Sequence, residues 1–268
     1  MKSVVNLFLQ PKSIMKTHRY IAAFAAVLLT TIVTAQTVSP LDAARAALKT
    51  NDLPKTEALL LPLTGDGATD AAPFHALGQL RERQQNLKEA VAAYEQAAKL
   101  DPTQAEYFSA LGIALSQRMG EMNFMQQAMT AGKMKKAFEK SVALEPKHVA
   151  GLIGMARYYS NAPEIAGGSL EKARTYAERV KAIVPFLGEA EYGNIAEKGE
   201  DFGGALAHYE SSLKLRPDNA GFLFSAGRML AKLGRKDEAR ERFEAALKLS
   251  PNLEPAKRAL ADLDQPAG

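Results

Sequence analysis

Apolar residues recur along the chain at three- and four-residue spacing in short blocks, and each block closes on the same terminator. Leu87, Val91, Tyr94 and Ala98 form one such stripe, the pattern of a helix with a single buried face. Leu100-Asp101-Pro102 ends it, because proline cannot continue a helix and restricts the residue before it. The terminator returns as Leu144-Glu145-Pro146, Ile183-Val184-Pro185, Leu215-Arg216-Pro217 and Leu249-Ser250-Pro251, with proline spacings of 44, 39, 32 and 34 residues. A period of about 34 residues predicts a stack of helix–turn–helix units rather than one globular core. The first two intervals carry insertions of about ten and about five residues relative to that period. These are expected in the turns between helices, or as a lengthening of both helices of a unit.

The clearest copies of the repeat are Phe74-x2-Leu77-Gly78 … Ala90-x3-Tyr94 … Pro102 and Leu223-x2-Ala226-Gly227 … Ala239-x3-Phe243 … Pro251. Gly78 and Ala90 are small where two helices are expected to cross closely. These residues resemble the tetratricopeptide repeat, which implies an all-α, right-handed solenoid of antiparallel helix pairs. The units are read as 37–70 (degenerate), 71–104, 105–148 with an insertion, 149–187 with an insertion, 188–219 and 220–253, with a capping helix at 253–263. The solenoid thus fills residues 36–268. Departures from the family pattern are Arg81 at an aromatic position, Met134 at an alanine, Ala156 at the glycine and Ala177 at the second-helix aromatic.

The N-terminal segment has a different character. Lys16 and Arg19 precede an apolar run from Ile21 to Leu29 that continues to Ile32 and Val33 and ends in Val33-Thr34-Ala35. This is the layout of a signal peptide over residues 1–35, cleaved between Ala35 and Gln36; retention as an anchor is the alternative, and Met15 is an alternative start. A periplasmic or secreted mature protein follows, with no membrane span. Removing 1–35 also removes Lys2, Lys12, Lys16 and Arg19 and no acidic residue, so the 34 basic and 30 acidic residues become 30 and 30. The basic balance therefore belongs to the leader, and a nucleic-acid partner is not indicated. The sequence has no cysteine, which excludes disulfides, thiolate metal sites, a catalytic thiol and cysteine lipidation.

Catalytic patterns are missing as well. His75, His148 and His208 lack a second ligand at metal spacing, and no HExxH or GxSxG occurs. Gly132-Lys133 lacks the Ser/Thr and the upstream glycine of a phosphate loop, and the Gly65–Asp70 stretch lacks the oxygen ligands of a calcium loop. The sequence does not support an enzyme, and it implies no cofactor. Around Asn161-Ala162-Pro163, Gly167 and Gly168 permit a tight turn and Ser169 is placed to cap the next helix.

Two features carry the functional expectation. Met119, Met122, Met125, Met129 and Met134 concentrate five of the nine methionines in the longer insertion. Helical spacing would put Met122, Met125 and Met129 on one face, for packing or an adaptable partner surface; Cu(I) handling by soft thioethers is the alternative. The second is the concave groove that the resemblance implies along the first helices. In repeat register one column runs His75, Ser109, Ile153, Ala190, Phe224 and another Gln79, Ile113, Arg157, Asn194, Arg228. Chaperone-binding members of the family hold a C-terminal carboxylate with Lys and Asn in these columns, where His75 and Gln79 stand here. Arg157, Asn194 and Arg228 are donors suited to a carboxylate or a partner's backbone, with Phe224 and Tyr107 as apolar anchors. The function expected is a non-catalytic protein-interaction scaffold in the cell envelope that docks a peptide or helix.

Overall fold

A computed structural model describes residues 38–263; the leader segment expected at 1–35 lies outside them. Thirteen α-helices and no strands occur among the described residues. They are α1 (Pro40–Lys49), α2 (Leu53–Leu60), α3 (Ala71–Arg83), α4 (Leu87–Leu100), α5 (Ala105–Arg118), α6 (Phe124–Leu144), α7 (Val149–Asn161), α8 (Leu170–Ile183), α9 (Pro185–Lys198), α10 (Phe202–Leu215), α11 (Ala220–Lys232), α12 (Lys236–Leu249) and α13 (Glu254–Leu263). Odd and even helices pair antiparallel from α1/α2 to α11/α12, each pair stacks on the next, and the result is a right-handed α-solenoid. On the last pair, α13 lays Ala259, Leu260 and Leu263 against Leu230, Ala239 and Phe243.

Four of the six pairs share one turn. A left-handed residue reverses the chain at Asn51, Gln85, Glu200 and Gly234, with φ of 60°, 59°, 59° and 77°. Where an Asp or Asn follows, its side chain caps the second helix: Asp52 accepts from Lys55 N–H, Asn86 from Glu89 N–H and Asp201 from Gly204 N–H. The three non-glycine residues each hold a conformation costing roughly 1–2 kcal/mol, offset by the cap that follows.

The helices of a pair cross where a glycine faces an aromatic ring. A Cβ on Gly112 would lie 2.6 Å from the Phe138 ring, one on Gly193 2.8 Å from Tyr209, and one on Gly227 2.6 Å from Phe243; Gly78 stands equally tight against Tyr94. In the fourth pair both partners have changed together. Ala156 replaces the glycine, Ala177 replaces the ring, and both are fully buried. The space left by the missing ring belongs to a core in which Tyr158, Tyr159 and Met155 join Phe138, itself also packed under Gly154.

The insertions take two forms. The longer one lengthens only the second helix: α6 runs 21 residues where α4, α8, α10 and α12 run 14, and a 3-10 turn at Met119–Glu121 precedes it. The shorter one falls wholly in the α7–α8 turn as a 3-10 segment, Glu164–Ala166, followed by Gly167 at φ 86°. A Cβ on Gly168 would collide with the Ala162 carbonyl, and Ser169 Oγ caps α8 through Lys172 N–H.

The glycine–ring contact yields a direct test. Gly78→Ala is expected to destabilise by about 1–3 kcal/mol through overpacking, since the Tyr94 ring is held by a hydrogen bond from its hydroxyl to Glu82 at 2.7 Å. In denaturant titrations, Gly78→Ala/Tyr94→Ala should lose less stability than the sum of the single variants, reproducing the Ala156/Ala177 solution. Strict additivity would show that the crossing is not set by this contact.

Candidate partner-docking groove

The first helices, α3, α5, α7, α9 and α11, carry both expected columns, and the structure treats the two differently. The column of His75, Ser109, Ile153, Ala190 and Phe224 is largely internal: His75, Ser109 and Ala190 are buried, and only Ile153 and Phe224 keep partial exposure. His75 keeps only 9 % exposure and reaches an open concavity with that remaining surface. Its imidazole lies between the rings of Tyr94 and Tyr107, with centroids 5.5 and 5.0 Å away. Burial holds its pKa below the usual 6.5, against the opposing pull of the Glu106 carboxylate 3.9 Å from Nε2. Tyr107, expected as an anchor, is engaged in this stack. Gln79 sits nearby on the wall of an open concavity of about 1000 Å³ that also contacts Arg45, Lys49, Glu82 and Arg83.

The second column is the polar one, although its Ile113 offers only an apolar surface, 38 % exposed. Arg157, Asn194 and Arg228 meet around one concavity of about 330 Å³, together with Ser160, Asn161, Glu197 and Lys198. Arg157 donates from Nη2 to Glu191 Oε1 at 2.7 Å and from Nε at 3.1 Å. Asn194 Oδ1 accepts from the Tyr209 hydroxyl at 2.8 Å, with Glu197 Oε2 3.4 Å from the same hydroxyl. Arg228 pairs with Glu197 and lies 5.8 Å from the centroid of Phe224. Both arginines are thus positioned by carboxylates from the neighbouring repeat, with faces left toward the concavity.

Sequence reasoning missed Glu191 and Glu197. Glu191 is 2 % exposed, yet its register position is held by Ala76, Ala110, Gly154 and Ser225 in the other units. A lone charge in a column of small residues is the signal that marks it: a buried carboxylate requires a partner, and Arg157 supplies one. Glu197 answers a different demand. The buried Tyr209 phenol needs an acceptor, as Tyr94 does from Glu82, whereas the units with Phe138 and Phe243 carry Ser116 and Ala231 at the same position.

The methionines do not form one face. Helix α6 begins at Phe124, so Met122 precedes it, half-buried, and its sulfur accepts from Thr130 Oγ1 at 3.2 Å. Met119 and Met134 pack against the central core, while Met125 and Met129 are 74 % and 68 % exposed. This dispersal offers nothing in favour of a copper site. Among the described residues no group of three or more His, Asp or Glu side chains is placed to hold a metal, and no helix is long and apolar enough to cross a membrane.

A tetratricopeptide repeat family model matches residues 193–254, and a second TPR repeat model matches residues 78–118. The BBSome complex member bbs-4 of Caenorhabditis elegans is 27 % identical over 177 residues, covering 62 % of this chain and 35 % of that protein. The chain thus spans well under half the length of this curated relative. A thermophilic TPR protein of Thermus thermophilus is similar in structure, with a TM-score of 0.62 at 17 % identity over 72 % of this chain and 98 % of its own. PilW, a widely conserved type IV pilus biogenesis factor, superposes with a TM-score of 0.64 at 15 % identity over 82 % of this chain and 96 % of its own. The chain carries tetratricopeptide repeats in the two matched segments, and its whole described part has the fold of a TPR solenoid. Its fold is that of a protein–protein interaction scaffold, a class that is generally non-catalytic.

Two measurements follow from this chemistry. Because His75 is harder to protonate folded than unfolded, its stabilising effect is complete above the unfolded value near 6.5 and declines as pH falls below it. The melting temperature should therefore drop between about pH 7.5 and 5.5, and His75→Phe, which keeps the ring and removes the titration, should flatten that drop. An unchanged profile in the variant would mean that His75 is already free to protonate. Separately, Arg157→Ala leaves the Glu191 carboxylate buried and unpaired, at a cost of roughly 1–3 kcal/mol. Adding Glu191→Gln should recover part of the loss; equal stability of Arg157→Ala and the wild type would show the pair to be energetically idle.

Proposed function

We propose that the chain docks a peptide or helix of a partner protein along the groove of its first helices, without catalysis, and that the Arg157–Asn194–Arg228 concavity receives a carboxylate of that partner. One observation carries this reading: three donor-bearing side chains from three successive repeats, at one register position, line a single concavity. The Tyr209 hydroxyl occupies Asn194 Oδ1, which leaves the amide N–H2 as the donor facing a ligand. Arg157 spends Nε and Nη2 on Glu191, leaving Nη1 for a second acceptor, and a guanidinium shared between two carboxylates retains strong charge-assisted bonds. Phe224 beside Arg228 supplies an apolar wall for the residue next to the carboxylate.

The setting proposed is the cell envelope. The pattern of Lys16, Arg19, the apolar run and Ala35 supports export with cleavage between Ala35 and Gln36, into the periplasm or beyond. N-terminal sequencing of the protein from its own cells should then begin at Gln36, and a chain that keeps its leader and remains in the cytosol overturns this placement.

The groove is tested by Asn194→Asp, which keeps an oxygen for Tyr209 while placing a negative charge in the concavity. A peptide library with free C-termini, screened by fluorescence polarisation against its amidated counterpart, should bind at least tenfold more weakly when amidated, the scale of a charge-assisted bond. Asn194→Asp and Arg228→Ala should both abolish that difference while thermal melts show that the variants remain folded. Equal binding of free and amidated peptides would remove the carboxylate from the reading.

A further inference from the structure

We infer that the overhanging N-terminal tip of α6 is a wedge that seats on an anionic lipid surface. The tip exposes three large apolar side chains together: Phe124 is 87 % exposed, Met125 74 % and Met129 68 %, and Ile165 in the 3-10 turn of the next pair is 99 % exposed. The turn is tied to α6 through Tyr158, whose hydroxyl donates to the Ala166 carbonyl at 3.0 Å and whose ring lies 5.6 Å from Lys135 Nζ. Both insertions therefore add their apolar residues at the same edge of the stack. The tip is built to stand alone: Asn123 and Gln126 form a reciprocal capping box, so the first turn of α6 is helical without a neighbouring helix to support it.

Charge selects an anionic lipid surface over a protein groove. Residues 122–138 contain Lys133, Lys135 and Lys136 and no acidic residue. Lys135 pairs with Glu139 at 3.7 Å, whereas Lys133 and Lys136 are exposed and make no ion pair among the described residues. Met125, Met129, Lys133 and Lys136 follow one another at helical spacing along one face. A rise of 1.5 Å per residue sets the two lysines roughly 6 and 10 Å behind Met129, so they lie at the headgroups when the residues before them enter the interface. Glu121, three residues before Phe124, opposes the attraction, so the contact is reversible and salt-dependent rather than an anchor. The tip is a different surface from the docking groove.

The chain contains no tryptophan, so a single introduced one reports its own position. Full-length Phe124→Trp is mixed with phosphatidylcholine vesicles containing phosphatidylglycerol, with Leu249→Trp, exposed at the end of α12, as the reference. The expected result is a blue shift and quenching by brominated lipid for Phe124→Trp alone, reversed by high salt. Binding should weaken roughly fivefold for each lysine removed in Lys133→Gln and Lys136→Gln. The inference is overturned if Phe124→Trp shows no shift, if Leu249→Trp shifts equally through another part of the chain, or if neutral vesicles give the same response. A shift produced by added protein and never by lipid overturns it as well, in favour of a protein partner at the tip.

Discussion

The close approach of the two helices of each pair is the constraint on which the rest of the solenoid depends. A glycine on the first helix lets a ring from the second lie flat on its backbone, and the ring then fixes the separation and the angle of the pair. Tyr94, Phe138, Tyr209 and Phe243 occupy these positions, all at 3 % exposure or less, so each ring is also the centre of its local core. Phe138 serves twice, against Gly112 in its own pair and Gly154 in the next, and it links the two irregular units. The Ala156/Ala177 pair follows the same rule. When the ring goes, the glycine is no longer required; two alanines meet at the crossing, and larger side chains of the central core, Tyr158, Tyr159 and Met155 among them, pack around it.

A polar consequence runs from this packing to the groove. A tyrosine at the ring position buries a hydroxyl that must find an acceptor, and the first helix provides one four residues beyond its glycine. In the pair α9/α10 that acceptor region holds Asn194 and Glu197, and Glu197 in turn positions Arg228 of the next repeat. The polar cluster of the groove is thereby an extension of the core's hydrogen bonding. Burial raises the pKa of the Tyr209 phenol, with the Glu197 charge adding to the effect, so the hydroxyl remains a donor throughout the physiological range. Preorganisation of this kind is what a groove needs to bind a charged group without first rearranging its own side chains.

The fold was legible because its determinants are local. Five Leu/Ile-x-Pro terminators and the Gly/aromatic pairs are each readable within one repeat, and period alone excludes a globular core. The register columns were legible too, and the three donors they aligned, Arg157, Asn194 and Arg228, line one concavity. What the register could not convey is direction of exposure. His75 and Phe224 share a column, but His75 is enclosed by Tyr107, contributed by the next unit, while Phe224 meets a smaller Ala259-containing cap and Arg228. Glu191 was missed for a related reason: its partner lies 34 residues earlier, and only stacking brings the two together. The methionine insertion defeated spacing arguments because the helix boundary falls inside it, between Met122 and Met125.

The position of the insertions explains how the scaffold tolerates them. The proline terminators close each second helix at the edge where one unit hands over to the next, and a change there would shift every later repeat. Both insertions avoid that edge and enter at the turn inside a pair, where added chain can project outward while the crossing point stays fixed. In α6 the added turns precede Met134 and Phe138, so the buried contacts keep their register and only Phe124 to Met129 extend beyond the stack. In the α7–α8 turn, Gly167 and Gly168 fold the extra residues back so that Ser169 N–H reaches the Tyr159 carbonyl at 2.8 Å and α8 starts in place. The groove is defined by first helices and the tip by the start of a second helix, so the two surfaces vary without mechanical conflict. A repeat protein gains a new surface most cheaply at the loop inside a unit, and this chain has done so twice on one edge.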